Sequence, residues 1–536
     1  MTTLQPRPPY SDAELAELYP PTLTLQLVQV LLRHGERTPV TPRFQDTTGL
    51  PAFWPYCNAA RHLRNAVLDP ESGKFSPLEW KRRLEAFGHH DAPVVATGPK
   101  GELDGICDMG MLTDMGRETT TQLGQRLRTL YVDRLGFLPP SLSSGNADSL
   151  YLRSTPIPRA LESLQQTLHG LYPQHTRAGD LAPLTILGRT PGDETLFPND
   201  GNCRRFAALS RAFAQRAAER WNDTDDMAYL TKKLGKYMPD GGDKRVAVDG
   251  KPRLSGVMDT MNATNAHGAE TKLPAAFYDP KIKQIIEKIG VEEWYAGYLE
   301  SQEYRTLGIG GLMGDIVARM VGSVERTTAD GEYEIQTKKD KLRPAHIRFG
   351  LSGCHDTTLA GALSSLGAYD TEAWPPFTSH IAIELFRDSS TPPQQVLSPS
   401  SASLPSQSTT SWISSLFGFS GSSKPGAPPK GIGRKPTDDL SEREKKQLEG
   451  YYVRLRYNDK PVTIPGCKLP GNHLEGNESF CTLVSLSHSP TLASPFPPLN
   501  RDMKISSHWW GRKTSKLTGD QNKFFQNQKR PLSNPS

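Results

Sequence analysis

Arg33-His34-Gly35-Glu36-Arg37-Thr38-Pro39 sets two guanidiniums and one imidazole within seven residues. Far along the chain stand Arg153, opening Arg153-Ser154-Thr155, and the pair His355-Asp356. Three guanidiniums suit a phosphate dianion, because planar forks meet its oxygens bidentately and stay charged at any working pH. One of the two imidazoles beside them, His34 or His355, can attack phosphorus through its lone pair. A backbone contact to the opposite ring nitrogen would fix the required tautomer. The other imidazole can hold the transferring phosphoryl oxygens where charge develops. Asp356 can protonate the leaving alkoxide and later activate water. Gly35 leaves room for close approach of backbone and ligand. Arginines carry the charge neutralisation, so the set calls for no metal and no cofactor.

Each group follows a strand-like run. Leu25 to Leu32 delivers Arg33-His34, Ser149 to Leu152 delivers Arg153, and His346 to Ser352 delivers Gly353-Cys354-His355-Asp356. In open α/β sheets the ligand site lies outside the carboxyl ends of the strands, so these distant residues are expected to converge. Leu112 to Leu135 has helical spacing, with Thr113 as its N-cap. A second helix runs from about 159 to Pro173, and Thr357 to Leu366 continues as a third. Residues 381–386 and 452–457 alternate as strands and look like hairpin partners despite the long gap between them.

The remaining segments divide by composition. Residues 40–110 are rich in turns and aromatics, an irregular excursion. Together with the helical pattern inside 190–340 it is assigned to a mainly helical cap. Residues 389–423 hold 14 Ser and no charge, so the stretch 389–446 reads as a disordered insertion within a domain. Inside it, residues 410–420 place Trp412, Ile413, Leu416, Phe417 and Phe419 at helical spacing, a candidate for peripheral membrane contact. The resulting division is an N-terminal extension (1–22), one catalytic domain (23–484) and a disordered or atypical tail (485–536).

Composition bounds the rest. The chain has 536 residues and a net charge of +5. Residues 501–536 alone hold eight Lys and Arg against two acids, a local +6 that leaves −1 for residues 1–500. A total of +5 on this length is too small to argue for a nucleic-acid partner, and none is expected. No run of about 18 apolar residues suggests a spanning helix. The first 21 residues lack the layout of a signal peptide. Six cysteines are too sparse for a disulfide scaffold and form no CxxC pair, which favours a reducing compartment. A cytoplasmic location is expected, with the mitochondrion as second choice and secretion argued against.

With the motif, the strand-terminal His355-Asp356 and Arg153-Ser154-Thr155 in view, the sequence resembles the histidine acid phosphatase branch of the histidine phosphatase superfamily. Its signature R-H-G-x-R-x-P stands at 33–39 and its H-D at 355–356. Residues 112–117, 123–128, 466–468 and 479–483 fit as well, so the resemblance covers roughly 23–484. It implies a three-layer α/β core like that of phosphoglycerate mutase, with a mixed sheet and an inserted cap. It implies phosphomonoester hydrolysis through a phosphohistidine, at acidic pH. His34 would be the nucleophile, Asp356 the proton donor, and Arg33, Arg37, Arg153 and His355 the phosphate ligands. Phytase-like and lysophosphatidic acid phosphatase specificities are alternatives, and a phosphate- or lipid-binding pseudophosphatase is the non-enzyme rival.

Other residues receive structural roles. Arg159 is assigned to helix packing or a salt bridge ahead of phosphate contact. His89-His90-Asp91 reads as a solvated loop, and His346 and His380 as core or sheet-face histidines. His473 is assigned to a Gly/Asn-rich loop. Cys467 and Cys481 come close if that loop folds back, and a disulfide there requires an oxidising compartment. No final helix is expected after residue 484.

Overall fold

A computed structural model describes residues 2–239, 244–325, 347–391 and 439–487. The strands, in chain order, are β1 (Leu23–Arg33), β2 (Leu63–Asp69), β3 (Lys74–Trp80), β4 (Glu85–Phe87), β5 (Pro93–Val95) and β6 (Leu150–Ser154). They continue with β7 (Phe349–Cys354), β8 (His380–Asp388), β9 (Tyr451–Tyr457), β10 (Lys460–Val462), β11 (His473–Leu474) and β12 (Asn477–Thr482). One mixed sheet runs β11-β12-β9-β8-β1-β7-β6, with β10 also on β9. Strands β1, β7 and β6 are parallel neighbours. Strand β8 runs antiparallel to β1, and β9 antiparallel to β8.

Strand β1 is central because both of its faces are apolar. Leu27 and Leu31 enter one core, while Val28, Val30 and Leu32 enter the other. The second core is closed by helices Asp114–Arg128 and Pro158–Leu171, which contribute Leu123, Leu127, Leu164, Leu168 and Leu171. These helices touch backbone to backbone. A Cβ on Gly124 would lie 2.0 Å from the Thr167 carbonyl, and one on Gly170 would lie 2.1 Å from that of Thr121, so only glycine fits either position. The first core is closed by Leu254–Ala266, Pro280–Glu300, Gly310–Glu325 and Asp356–Ser365, with Arg204–Trp221 beyond. Among the described residues no single helix is long and apolar enough to cross a membrane.

Several expectations need correction. Residues 40–110 are not mainly helical; they carry the hairpins β2–β3 and β4–β5 and short helical turns. These hairpins keep period-2 strand character without a buried face, which hides them from a core-seeking reading. Two disulfides are present, Cys57–Cys107 and Cys467–Cys481. The first joins residues 50 apart in sequence, so no local spacing announced it. Within 389–446, residues Glu442–Gln447 form a helix whose N-terminus is closed by reciprocal Ser441 and Glu444 bonds. A short helix, Leu483–Ser487, does follow β12. His346, the membrane-contact segment 410–420 and the tail beyond 487 lie outside the described residues. Residues 2–22 are no loose extension: Thr3 bridges to Phe377, and the capped helix Asp12–Leu18 leads into Tyr19, whose hydroxyl bonds Glu384.

Candidate active site

The carboxyl ends of β1, β7 and β6 lie side by side. The register pairs Arg33 with Cys354, and Gly353 with Ser154. The residue following each strand is therefore His34, His355 or Thr155. The two imidazoles meet edge to face, with ring centroids 5.5 Å apart, and both are buried. Nδ1 of His34 lies 2.9 Å from the Gly35 carbonyl. A carbonyl only accepts, so Nδ1 carries the proton and Nε2 keeps the lone pair. Nε2 of His355 lies 3.1 Å from the Thr155 hydroxyl.

Gly35 serves backbone crossing rather than ligand approach. A Cβ there would lie 2.3 Å from the Gly116 carbonyl, at the start of the helix that Thr113 caps. Glu36 is buried with it and bonds the Thr119 hydroxyl at 2.6 Å.

Three arginines surround the imidazoles, though not the three expected. Arg33 reaches Oδ2 of Asp356 at 2.8 Å and donates to the Pro375 carbonyl at 2.5 Å. Arg37 reaches Asp259 at 2.7 Å, and the same carboxylate accepts from Arg43 at 3.1 Å. Arg159, in the first turn of Pro158–Leu171, has the strongest charge effect on both His34 and His355. No ion pair to Arg159 occurs among the described residues, and its buried Nε has no partner. Burial, with the neighbouring Arg37, pulls its guanidinium down to about 10.

Arg153 is a correction. Its guanidinium is buried against Glu194 at 2.5 Å, Asp315 at 3.3 Å and the Thr195 hydroxyl at 3.0 Å. It is the penultimate residue of β6, so its side chain still belongs to the sheet face and not to the strand end. Arg159 stands one helical turn beyond the strand end. The signal for it was its place at the start of the helix following the strand. Reading it as helix packing overlooked that a first turn faces the same opening.

Electrostatics sort the roles. Burial lowers His34 well below the usual imidazole value, reinforced by Arg159, Arg33 and Arg37. His355 is pushed down to about 3 by burial and then by Arg159. Both rings are thus neutral. For Asp356, burial alone would raise the carboxyl, but Arg33, the Trp374 indole and Arg37 bring it to about 2. The acid is ionised in the free protein, and a dianion bound among the arginines would offset the charges that hold it so.

Three other histidines singled out from the sequence lie elsewhere. His380 is buried in β8, 3.2 Å from Asp459, and His473 pairs in β11 with Nδ1 2.8 Å from the Cys467 carbonyl. His90 is exposed with φ +61°, and nothing joins it to the site. Among the described residues no group of three or more His, Cys, Asp or Glu converges as metal ligands would.

Comparison with known proteins gives this geometry a family. A probable acid phosphatase of Schizosaccharomyces pombe is 34% identical over 465 residues, which is 87% of this chain and 91% of that protein. Human lysophosphatidic acid phosphatase type 6 is 26% identical over 371 residues, 68% of this chain and 74% of that one. The solved apo phytase of Hafnia alvei is 14% identical with a TM-score of 0.47, covering 89% of this chain and 100% of that chain. The sequence profile of the histidine phosphatase superfamily, branch 2, matches residues 24–400. The paired strand-end histidines are thus set in a chain that belongs to the histidine phosphatase superfamily, branch 2.

Proposed function

We propose that this protein is an acid phosphatase that hydrolyses phosphomonoesters through a phosphohistidine at His34. The observation that carries the reading is the tautomer of His34. A neutral ring tied through Nδ1 to Gly35 presents Nε2 among Arg33, Arg37 and Arg159. Nε2 attacks phosphorus, the ester P–O bond breaks, and protonated Asp356 gives its proton to the leaving alkoxide. Water then attacks the phosphoryl group, the Asp356 carboxylate takes its proton, and the P–N bond breaks to restore neutral His34. His355 and the three guanidiniums hold the equatorial oxygens as charge develops. His34→Ala should abolish release of p-nitrophenol from p-nitrophenyl phosphate. Undiminished turnover in that variant would remove the mechanism.

Within phosphomonoesters, a lysophosphatidic acid is a substrate to compare with soluble ones, since the type 6 lysophosphatidic acid phosphatase covers 68% of this chain. Inositol phosphates form the other arm of that panel. The two disulfides favour an oxidising compartment over the cytoplasm, because the cytosol keeps thiols reduced. On that reading, denatured but unreduced protein offers among its described cysteines only Cys203 and Cys354 to a thiol reagent. Reactive Cys57, Cys107, Cys467 and Cys481 would argue for the cytoplasm.

A further inference from the structure

The mechanism leaves unused the segment Trp374-Pro375-Pro376-Phe377-Thr378, which precedes β8. It touches three of the chemical groups at once. The Trp374 indole N–H donates to Oδ2 of Asp356 at 3.0 Å. The Pro375 carbonyl accepts from Arg33, and the Phe377 ring lies under the same guanidinium with its centroid 4.2 Å from the guanidinium carbon. The ring is also 6.0 Å from the His34 ring. The Thr378 N–H donates to the His34 carbonyl at 3.2 Å. Thr378 has φ +64°, a conformation that a β-branched residue adopts only where its surroundings impose it.

What imposes it comes from the start of the chain. The Phe377 N–H donates to the Thr2 carbonyl at 2.9 Å, and the Leu4 N–H donates to the Phe377 carbonyl at 3.1 Å. Thr2 is anchored in turn by Asn265 at 2.8 Å. On the far side the Trp374 ring stacks on Tyr295, with centroids 5.0 Å apart. Residues 2–4 thus act as a strap across the segment.

We propose that residues 374–378, strapped by residues 2–4, are the positioning element of this site, with Trp374 orienting Asp356 and Phe377 seating Arg33. The inference rests on the phosphatase reading. Through Trp374 the acid is held on Oδ2 by two donors, while Oδ1 accepts the Thr357 N–H at 2.9 Å. One lone pair direction is left for the substrate. Asp356 also faces Arg37 from the motif, Arg159 from its helix and His355 beside it. Tyr295, Tyr369, Tyr457 and Cys354 are its further titratable neighbours. Only the indole can be removed without altering any of these charges.

Two readouts test the proposal on the full chain. Trp374→Phe keeps the stacked ring but removes the donor, so Asp356 should hold its proton to higher pH. The falling limb of kcat against pH, measured with glycerol phosphate, should move up by about one pH unit with KM unchanged. Phe377→Leu should weaken binding of inorganic phosphate about five-fold, and Phe377→Tyr should restore it. Leu4→Pro, which deletes the strap donor, should act in the same direction and covers the case where Phe377→Leu does not fold. A superimposable pH profile together with unchanged phosphate affinity overturns the inference while leaving the phosphatase reading intact. A wild-type chain that neither binds phosphate nor turns over an ester overturns both.

Discussion

Two clusters of arginines lie in and at the end of this sheet, and they do opposite work. In the antiparallel half, Glu384 of β8 sits between Arg454 and Arg456 of β9, with Arg454 at 2.7 Å and all three side chains at most 1% exposed. Tyr131 and Tyr19 complete its shell at 2.7 and 2.6 Å. At the carboxyl ends of the parallel half, Arg33 pairs with Asp356 and Arg37 with Asp259, but among the described residues no carboxylate lies within ion-pair distance of Arg159. Arg153, between Glu194 and Asp315, belongs to the first kind although it lies close to the second in sequence and in strand. The number of arginines therefore says little about function. A guanidinium held at hydrogen-bond distance by carboxylates and phenols is finished as structure, whereas Arg159, with Asp356 and Asp259 acting on it only from longer range and neutral imidazoles beside it, is placed to take an anion.

The largest effect should come from the finished cluster. Glu384→Gln takes the acid from buried Arg454 and leaves Arg456 with Asp459 at 3.7 Å, and should cost about 3–5 kcal/mol of unfolding free energy in urea, because the desolvation of the remaining charges is no longer fully offset. A loss below about 1 kcal/mol would mean that water or another acid already serves them. In the open cluster the same type of change should spare stability and hit chemistry. Arg159→Met should lower kcat/KM about a hundred-fold, the scale for removing one transition-state charge donor, with the melting temperature unchanged or raised. Arg153→Lys, which keeps a cation between its two acids, should leave kcat/KM near wild type. If Arg153→Lys is the damaging one, the roles assigned to these two arginines are reversed.

A smaller difference separates the clusters on acidification. His34 and His355 are held below their ordinary value of 6.5, so below that pH the unfolded chain binds more protons than the folded one. Their contribution to stability is present above about pH 6.5 and is lost progressively as pH falls. Asp356 adds a further loss between its ordinary 3.8 and about 2. Burial would raise Glu384, but Arg454 and Arg456 hold it below its ordinary 4.5, so the finished cluster costs nothing until that range. The melting temperature should therefore begin to fall near pH 6, and the fall should be shallower in His355→Gln. A flat profile down to pH 4.5 would contradict neutral buried imidazoles.

Much of the site was legible because the sheet translates sequence into position. Strand β1, expected at 25–32, spans Leu23–Arg33, and the runs read as hairpin partners, 381–386 and 452–457, pair as β8 and β9. His34, His355 and Asp356 follow strand ends, where period-2 reasoning and the rule for open sheets agree. Arg153 was misplaced by a single residue of strand alternation, and Arg159 lay in the first turn of a helix whose amphipathic pattern gave no sign of which end faced the ligand. Trp374 and Phe377 were invisible for a different reason. They reach Asp356 and Arg33 from a loop with no periodicity, and their partners at residues 2–4 are more than 370 positions away in sequence. The Cys57–Cys107 bond falls in the same class of long-range closure.

The central claim is that His34, kept neutral with Nε2 free, becomes covalently phosphorylated. In Asp356→Asn the departure of p-nitrophenolate needs no proton donor, whereas activation of water for the second step has lost its base. Mixing this variant with p-nitrophenyl phosphate, quenching in alkali and mapping the label by mass spectrometry tests the claim directly. The predicted result is one phosphoryl group on the peptide containing His34, acid-labile and absent from the His34→Ala counterpart. Sustained release of p-nitrophenol with no label on His34, or with the label on His355, would contradict it.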